Sequence, residues 1–196
     1  MNVYDFDKTI YDGDCATDFF FFSIKRNPKL LLAIKKLPFS FLRFKMKTIS
    51  RTTMKESLYQ YVKHIDHLES EVNDFWREHN HKIKGWYQLQ KDESDLIISA
   101  SPEFLIRPIC EELGVHWMAS KLDTHSGLYD GNNCYGEHKV PRYREFFTDE
   151  MMDDFYSDSL SDTPLAKLAK KAYLVKGNEI REWPLPALLD NETIYD

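Results

Sequence analysis

Apolar positions divide the chain into a long helical stretch flanked by segments of strand character. Residues Asn2 to Phe6 form a very short apolar segment, which we predict to be a strand that ends in Asp5. From about residue 13 to residue 91 the apolar residues recur with the period of a helix. Two sets follow this spacing: Met54, Leu58, Tyr61 and Ile65, and then Leu68, Val72, Phe75 and His79. Pro28 and Pro38 interrupt the stretch and predict helix boundaries.

The periodicity changes after Asp95. Residues 96–98 are a continuous apolar run, as expected of a strand that is buried on both faces. Pro102 then predicts the start of a helix that runs to Leu113, and Gly114 suits its C-terminal cap. Residues 115–135 combine short strand-like segments with glycine and asparagine turns.

Two further strands and a helix are predicted beyond residue 150. Residues 155–157 form a short apolar strand, and Pro164 fits the first turn of the helix that follows. The apolar residues of that helix are Leu165, Leu168 and Ala169. Residues 172–175 form the last strand, and the acidic end, 190–196, is expected to be mobile. This order of elements is typical of a parallel α/β sheet with a helical insert.

Composition limits the class of protein. The 196 residues fit one domain, or a core with a modest insert, and 42% hydrophobic residues are enough to form a buried core. No apolar run approaches the roughly 20 residues that a membrane-spanning helix needs, and no signal peptide is visible. Three scattered cysteines, Cys15, Cys110 and Cys134, predict reduced thiols and a cytoplasmic location.

Charge is concentrated in one segment. Residues 25–63 contain eleven basic residues and one acidic residue, a sum of +10, while the whole chain carries −6. This segment predicts either a solvated helical surface or contact with an anion, such as a membrane surface. The aromatic residues of the insert, such as Trp76, Trp86 and Phe19, are interpreted as packing residues, so no nucleic-acid partner is expected.

Polar residues follow three of the predicted strands at their carboxyl ends. They are Asp5, Asp7, Ser99, Asp158 and Asp162. Ligands of open α/β sheets bind at these ends, so we expect the five side chains to converge. Two like charges at 4 Å repel by about 4 kcal/mol at an effective dielectric of 20, so four carboxylates in one crevice require a cation or shifted pKa values. Oxygen ligands without histidine or thiolate favour Mg²⁺.

Such residues contain the parts of a phosphoryl-transfer site. A carboxylate can attack phosphorus, and a second carboxyl group can protonate the leaving oxygen. A lysine offsets the charge of the phosphoryl group, and a hydroxyl with backbone N–H groups holds its oxygens. Candidates for these parts are Asp5, Asp7, Lys139, Ser99 and Asp158.

The motifs resemble those of the haloacid dehalogenase (HAD) superfamily, in particular subfamily IB, the phosphoserine-phosphatase-like branch. DFDKT is similar to the first family motif, which implies Asp5 as nucleophile, Asp7 as general acid and base, and Thr9 as a support for the loop. IISAS is similar to the second, which implies that Ser99 and Ala100 contact phosphate oxygens.

The remaining two motifs are also matched. The lysine of GEHK, Lys139, is similar to the third motif, with Lys121 as a rival. YSDSLSD is similar to the fourth, which implies that Asp158 binds the metal and that Asp162 lies behind it. The resemblance further implies that Mg²⁺ is held by Asp158, by the Asp5 carboxylate and by the main-chain carbonyl of Asp7.

The resemblance implies an architecture as well. A Rossmann-like core with a parallel sheet would comprise residues 1–12 and 93–196. An inserted α-helical cap of the C1 type would comprise residues 13–92. In this branch the cap selects the leaving group, and the residues at the corresponding positions are Asp12, Asp14 and Arg51.

The expected activity is Mg²⁺-dependent hydrolysis of a small phosphate monoester through an aspartyl-phosphate on Asp5. Dehalogenation is excluded, because family dehalogenases lack the aspartate that stands here as Asp7. Three alternatives remain open: a phosphotransferase or mutase on the same core, a lipid-phosphate phosphatase at a membrane surface, and a binding module without activity. The sequence leaves the physiological substrate and the oligomeric state open.

Overall fold

A six-stranded sheet forms the centre of the protein. The computed structural model describes residues 1–147 and 152–184. The strands of this sheet are β1 Val3–Tyr4, β2 Leu96–Pro102, β3 His116–Ser120, β6 Met152–Ser157, β7 Ala169–Lys176 and β8 Glu179–Glu182. Their spatial order is β3-β2-β1-β6-β7-β8, and all neighbours are parallel except β7 and β8. The expected α/β fold with a mostly parallel sheet is confirmed.

The central strand β1 is only two residues long but is paired on both sides. Tyr4 lies opposite Ile97 of β2 and Tyr156 of β6. Directly after the strand, the Asp5 amide donates a hydrogen bond to the Tyr156 carbonyl at 2.8 Å. The register therefore brings the carboxyl ends of β1, β2 and β6 to one edge of the sheet.

Five α-helices fill the stretch between the first two strands. They are α1 Cys15–Arg26, α2 Leu37–Lys45, α3 Arg51–Tyr59, α4 Leu68–His79 and α5 Gly85–Gln90. The side chains of Asp14 and Ser50 cap the N-termini of α1 and α3. The two prolines mark boundaries as predicted, since Pro28 begins a short 3₁₀ helix and Pro38 lies in the first turn of α2.

The prediction of one helical face through Met54 and Ile65 was wrong, because α3 ends at Tyr59. Just beyond it, the Gln60 side chain donates to the Glu56 carbonyl at 3.2 Å and to the Ser126 carbonyl at 3.2 Å. These bonds tie the end of α3 to a neighbouring loop. The chain then turns through a second short 3₁₀ helix.

The helical insert packs on the sheet and its helices through aromatic residues. Trp76 of α4 meets the rings of Phe6 and Tyr11 edge-on, with centroid separations of 5.9 and 5.7 Å. Its indole Nε1 donates to the Leu105 carbonyl of α6 (Glu103–Leu113) at 2.7 Å. The proposed division into core and cap at residues 12 and 93 stays a prediction.

The remaining elements follow the predicted order with three differences: an additional helix after residue 138, a shorter helix after residue 162 and an additional strand after residue 178. Helix α6 ends at Gly114, which has the left-handed conformation expected of a C-terminal cap. Between β3 and the next helix, α7 Lys139–Arg144, lies the hairpin β4 Leu122–Asp123 and β5 Leu128–Tyr129.

Helix α8 spans only Thr163–Ala166, so the assignment of Leu168 and Ala169 to that helix was wrong. Leu168 lies in the turn after α8, and Ala169 begins β7, where it pairs with Met152. The antiparallel strand β8 was missed, because all four of its residues are exposed and the segment therefore has no apolar pattern.

Two sequence expectations concern the whole chain. No helix among the described residues is long and apolar enough to cross a membrane. Cys15, Cys110 and Cys134 are all buried free thiols. The acidic segment 190–196 lies outside the described residues.

Candidate active site

The centre of the site is a buried lysine between two carboxylates. Lys139 Nζ lies 2.6 Å from Asp5 Oδ1 and 2.7 Å from Asp162 Oδ2. The Lys139 side chain is 2% exposed, and those of Asp5 and Asp162 are 10% and 3% exposed. Ser157 Oγ also donates to Asp162 Oδ2, at 2.8 Å. Residues more than 130 positions apart in sequence therefore form one charged cluster.

Local backbone conformation allows the Lys139 turn to approach the Asp162 turn. Gly136, three residues before Lys139, has φ 57°. A Cβ atom at this glycine would lie 3.2 Å from the Ser161 carbonyl oxygen, which is tighter than ordinary contact. A residue with a side chain would therefore be strained and would push the two turns apart.

Thr9 connects the first and fourth motifs. Its Oγ1 donates to Asp5 Oδ2 at 3.1 Å and accepts from the Asp158 amide at 2.9 Å. The Asp158 backbone carbonyl accepts from Lys176 Nζ. Among the described residues, the carboxylate oxygens of Asp158 have no hydrogen-bond partner, so they remain available as ligands.

Asp7 lies beside the charged cluster and has its own hydrogen bonds. Its Oδ2 accepts from Ser101 Oγ at 2.6 Å, and its Oδ1 accepts from the Cys15 amide at 2.6 Å. The residue after Asp7, Lys8, has φ 61°, and its carbonyl accepts from the buried Lys84 Nζ at 2.7 Å. The turn that follows Asp7 is thus fixed from the end of the helical insert.

The second motif lies at an irregularity of β2. The register between β2 and β3 shifts between Ile98 and Pro102, so the backbone around Ser99 leaves regular pairing. The buried Ser99 Oγ accepts from the Ser101 amide at 3.0 Å. The Ala100 carbonyl accepts from Ser120 Oγ at 3.1 Å and from Lys55 Nζ at 3.4 Å.

Burial is the main cause of the pKa shifts of Asp5, Asp7 and Asp158. It raises the pKa of Asp5 to about 7, with the Lys139 charge opposing and the Asp162 and Asp158 charges adding to the shift. Burial raises the pKa of Asp158 as well, although nearby lysines oppose it. It also raises the pKa of Asp7, and the charge of Asp14 adds to that effect.

Lys139 stays charged. Burial alone would lower the pKa of its ammonium, but the carboxylates of Asp5 and Asp162 outweigh burial and raise that pKa above its ordinary value. The lysine therefore compensates part of the negative charge in the crevice. Asp162, which is expected behind the metal site and not among its ligands, is engaged by Lys139 and Ser157.

The residues fit a divalent cation at Asp5 and Asp158. The charge of Asp158 adds to the rise in the pKa of Asp5, so the two carboxylates are close enough to repel each other, and a divalent cation held by both would relieve that repulsion. Asp162 Oδ1 is buried and has no hydrogen-bond partner among the described residues. Within residues 1–147 and 152–184, no three His, Cys, Asp or Glu side chains form a metal-binding group by themselves. A main-chain ligand, as proposed for Asp7, would have to complete the site.

The candidate specificity residues Asp12, Asp14 and Arg51 differ in their exposure and in their contacts. Asp14 caps α1 through the Thr17 amide at 2.8 Å and lies near enough to Asp7 to shift its pKa. Asp12 is exposed. Arg51 is also exposed, and its guanidinium stacks on the ring of Tyr135 at 4.3 Å. Lys121, the rival of Lys139, is exposed and has no contact with the Asp5 cluster in the described residues.

Three residues of the site were missed from sequence: Ser101, Ser157 and Lys55. Both serines were visible as second hydroxyl groups at strand ends, in IISAS and YSDS. Lys55 had no such signal, because it is one of eleven basic residues between positions 25 and 63. Burial lowers the pKa of its ammonium, while the charges of Asp7 and Asp14 oppose that shift. Because its Nζ reaches the Ala100 carbonyl, Lys55 brings a positive charge from α3 to the crevice.

The chain is similar in sequence to a known phosphatase and matches one protein family. A histidinol-phosphatase from Neisseria meningitidis is 29% identical over 119 residues, which are 50% of this chain and 53% of that protein. The chain thus spans about half the length of this curated relative. The family model for haloacid dehalogenase-like hydrolases matches residues 3–167.

Solved structures share the fold. A Bordetella pertussis protein of unknown function has a TM-score of 0.72 at 18% identity, with 88% of this chain and 87% of that chain covered. A phospho-aspartyl intermediate analogue of phosphoserine phosphatase has a TM-score of 0.51 at 15% identity, with 87% and 83% covered. On the family match over most of its length, the chain belongs to the haloacid dehalogenase-like hydrolases.

Proposed function

We propose that the protein is a Mg²⁺-dependent phosphatase that hydrolyses a phosphate monoester through an aspartyl-phosphate on Asp5. The observation that carries this proposal is the buried contact of Lys139 with Asp5 at 2.6 Å, beside an Asp7 that has its own hydroxyl partner. A nucleophile, a cation and an acid are thus adjacent at one sheet edge.

In the first step the Asp5 carboxylate attacks phosphorus. Within the described residues, its Oδ2 accepts a hydrogen bond only from the Thr9 hydroxyl, at 3.1 Å, so a lone pair remains for the new P–O bond. The P–O bond to the leaving group breaks as Asp7 donates its proton to the departing oxygen. The raised pKa of Asp7 favours the protonated form that this step needs.

In the second step water attacks the phosphorus of the aspartyl-phosphate. Asp7, now ionised, accepts a proton from that water, and the bond between phosphorus and Asp5 breaks. Inorganic phosphate leaves and both carboxyl groups return to their starting states. The Ser101 hydroxyl can donate to the ionised Asp7 and accept from the protonated form, so it holds this side chain throughout.

The other residues bind and orient the phosphoryl group. Lys139 compensates its negative charge, and the Ser99 hydroxyl with the following backbone is placed to contact its oxygens. Mg²⁺ bound to Asp5, Asp158 and the Asp7 carbonyl would neutralise charge on the transferring group and keep Asp5 ionised. Lys55, whose Nζ lies 3.4 Å from the Ala100 carbonyl oxygen, adds a positive charge to the crevice, which favours a substrate with an anionic leaving group.

The proposal is tested by phosphate release from a panel of amino-acid, sugar, nucleotide and lipid monoesters with Mg²⁺. We expect turnover of at least one class, loss of activity in EDTA and loss in Asp5→Asn. The matched control is Asp66→Asn, which removes an exposed carboxylate of the insert and should leave turnover unchanged. A folded wild-type protein that is inert toward every monoester would contradict the proposal.

A further inference from the structure

One helix of the insert has large apolar side chains but buries none of its residues. Helix α2 contains Leu37, Phe39, Phe41, Leu42 and Phe44, and no residue of this helix is buried. Phe39 is 63% exposed, Phe41 47% and Leu42 53%. An amphipathic helix of a globular protein normally buries its apolar stripe, so this surface is of the kind that binds a partner.

The exposed apolar side chains belong to a wider surface, residues 29–47, which we call the basic apolar face. Its exposed apolar residues are Leu31, Leu32, Phe39, Phe41, Leu42 and Met46. Its basic residues, all exposed, are Lys29, Lys35, Lys36, Arg43, Lys45 and Lys47. The segment contains no acidic residue. Within the described part of the chain, no carboxylate forms an ion pair with any of these six cations.

Basic and aromatic side chains are paired on this face. The Arg43 guanidinium lies 5.9 Å from the ring centroid of Phe39, and Lys45 Nζ lies 5.0 Å from that of Phe41. Long basic side chains can cover apolar surface with their stems and keep the charge in water. Phe39, Leu42 and Arg43, at positions i, i+3 and i+4, share one side of α2, so this side presents apolar and basic side chains together.

We propose that the basic apolar face docks onto an anionic lipid bilayer. The rings and leucines would enter the boundary between head groups and acyl chains, while the lysines stay at the level of the lipid phosphates. Four observations support this proposal. The face exposes large apolar side chains, its six cations form no ion pair within the described residues, its segment contains no acidic residue, and two of its cations lie over aromatic rings.

A protein partner fits these residues less well. Lysine is depleted in protein–protein interfaces, whereas five of the six cations here are lysines. Clusters of lysine and arginine on an amphipathic surface are instead typical of binding to acidic lipids. A bilayer is therefore the occupant to which we commit.

The distribution of charge would orient the molecule. Residues 25–63 carry +10, so the rest of the chain carries −16 in a protein of net charge −6. An anionic surface attracts the first part and repels the second, which turns this face toward the lipid.

The face is connected to the active-site crevice. Helix α2 packs against α3, and α3 carries Lys55, whose Nζ reaches the Ala100 carbonyl next to Ser99. If the proposed function holds, a phosphate monoester at the head-group level of a bilayer comes within reach of the site. This last step rests on the proposed function, whereas docking itself does not.

Docking is tested by sedimentation of the full chain with two kinds of vesicle. One is phosphatidylcholine alone, and the other contains about one third phosphatidylserine as the anionic lipid. We expect binding to the anionic vesicles only. Binding should weaken as added salt shortens the Debye length from about 10 Å at 0.1 M toward about 3 Å at 1 M.

Exposed substitutions locate the surface without disturbing the core. Lys35→Glu with Lys36→Glu should lower the apparent affinity at least about 25-fold, at about fivefold for each lysine lost. Phe39→Ser with Phe41→Ser should abolish binding. The matched controls are Lys167→Glu, an exposed lysine elsewhere, and Leu89→Ser, whose side chain is 91% exposed on α5. Both controls should bind like the wild type.

Several results would overturn the docking proposal. They are no binding to anionic vesicles at low salt, equal binding to both kinds of vesicle, and unchanged binding in the two double variants. A concentration-dependent dimer in ultracentrifugation that Phe39→Ser with Phe41→Ser disrupts would also overturn it, since a second copy would then cover the face.

A second assay separates docking from catalysis. Phosphate release from vesicles that contain phosphatidic acid, a lipid phosphate monoester, should fall in the double variants. Their release from a water-soluble monoester should equal that of the wild type. Activity lost on both substrates would mean that the variants damage the enzyme, and activity absent in the wild type would refute the proposed function but not docking.

Discussion

Replacing Lys139 by methionine isolates the charge that holds the site together. Methionine keeps an unbranched apolar side chain but removes the ammonium that lies 2.6 Å from Asp5 and 2.7 Å from Asp162. Both carboxylates then remain buried without their cation. Breaking a buried ion pair in this way costs about 3–5 kcal/mol of unfolding free energy, a large part of the roughly 5–15 kcal/mol that stabilises a typical domain.

The loss of unfolding free energy in Lys139→Met should increase with pH. The pKa of Asp5 is about 7 in the wild type, and without Lys139 it rises further. Below pH 7 Asp5 is protonated in the native state of both proteins, so the difference between them stays constant. Above pH 7 the native wild type loses this proton while the variant retains it, so rising pH destabilises the variant more. The difference in unfolding free energy should therefore be larger at about pH 8.5 than at about pH 6.

Urea unfolding in Mg²⁺-free buffer measures both effects, with circular dichroism as the probe. The control is Lys170→Met, which removes an exposed ion pair with Asp153 and should change stability little. In the folded variant, turnover should fall by about 10²–10³-fold, as for loss of one preorganised charge-stabilising donor. An unchanged unfolding midpoint at about pH 8.5 would refute the reasoning, as would an identical loss at both pH values.

Two further predictions concern the acid and the packing of the insert. Asp14→Asn should move the alkaline limb of the kcat profile to lower pH, because the charge of Asp14 helps to raise the pKa of Asp7. Asparagine is an equally good N-cap, so the urea midpoint should hold, and an unmoved limb would contradict the assignment of Asp7. Trp76→Phe should cost about 1–3 kcal/mol in urea unfolding, because the Leu105 carbonyl loses its donor. Trp86→Phe is the control, since Trp86 Nε1 has no hydrogen-bond partner in the described part of the chain; equal losses would contradict the hydrogen-bond argument.

The sequence predicted the fold well where strands are buried on both faces. The runs at 96–98 and 155–157 lie in β2 and β6, because continuous apolar residues fit a sheet that is covered on both sides. Strand β8 has four exposed residues, so its pairing with β7 depends on the backbone and leaves no pattern in the side chains. The end of α3 at Tyr59 likewise depends on a long-range bond from Gln60 to Ser126.

The site was predictable to the extent that strand topology determines it. Asp5 and Asp158 directly follow β1 and β6, and Ser99 lies in the neighbouring strand β2, so parallel pairing predicts that the three residues lie near one edge of the sheet. The hydroxyl partners of the carboxylates did not, because the contact of Ser101 with Asp7 depends on the irregular register of β2.

The position of Lys55 could not be predicted from the sequence either. Its place in the crevice depends on how α3 packs, and the sequence offers many equivalent basic residues around it. Arg51, a candidate specificity residue from the family resemblance, stacks on Tyr135, and its role in specificity stays a prediction.

If Asp5 is the nucleophile, it becomes phosphorylated during turnover, and Asp7 is needed to release the phosphate. Asp7→Asn cannot accept a proton from water, but p-nitrophenyl phosphate needs no acid for its leaving group. After mixing the variant with this substrate and Mg²⁺, intact-mass and peptide analysis should find one phosphoryl group on the peptide that contains Asp5. An unmodified protein that releases phosphate at the wild-type rate, or a phosphoryl group on another peptide, would contradict the claim.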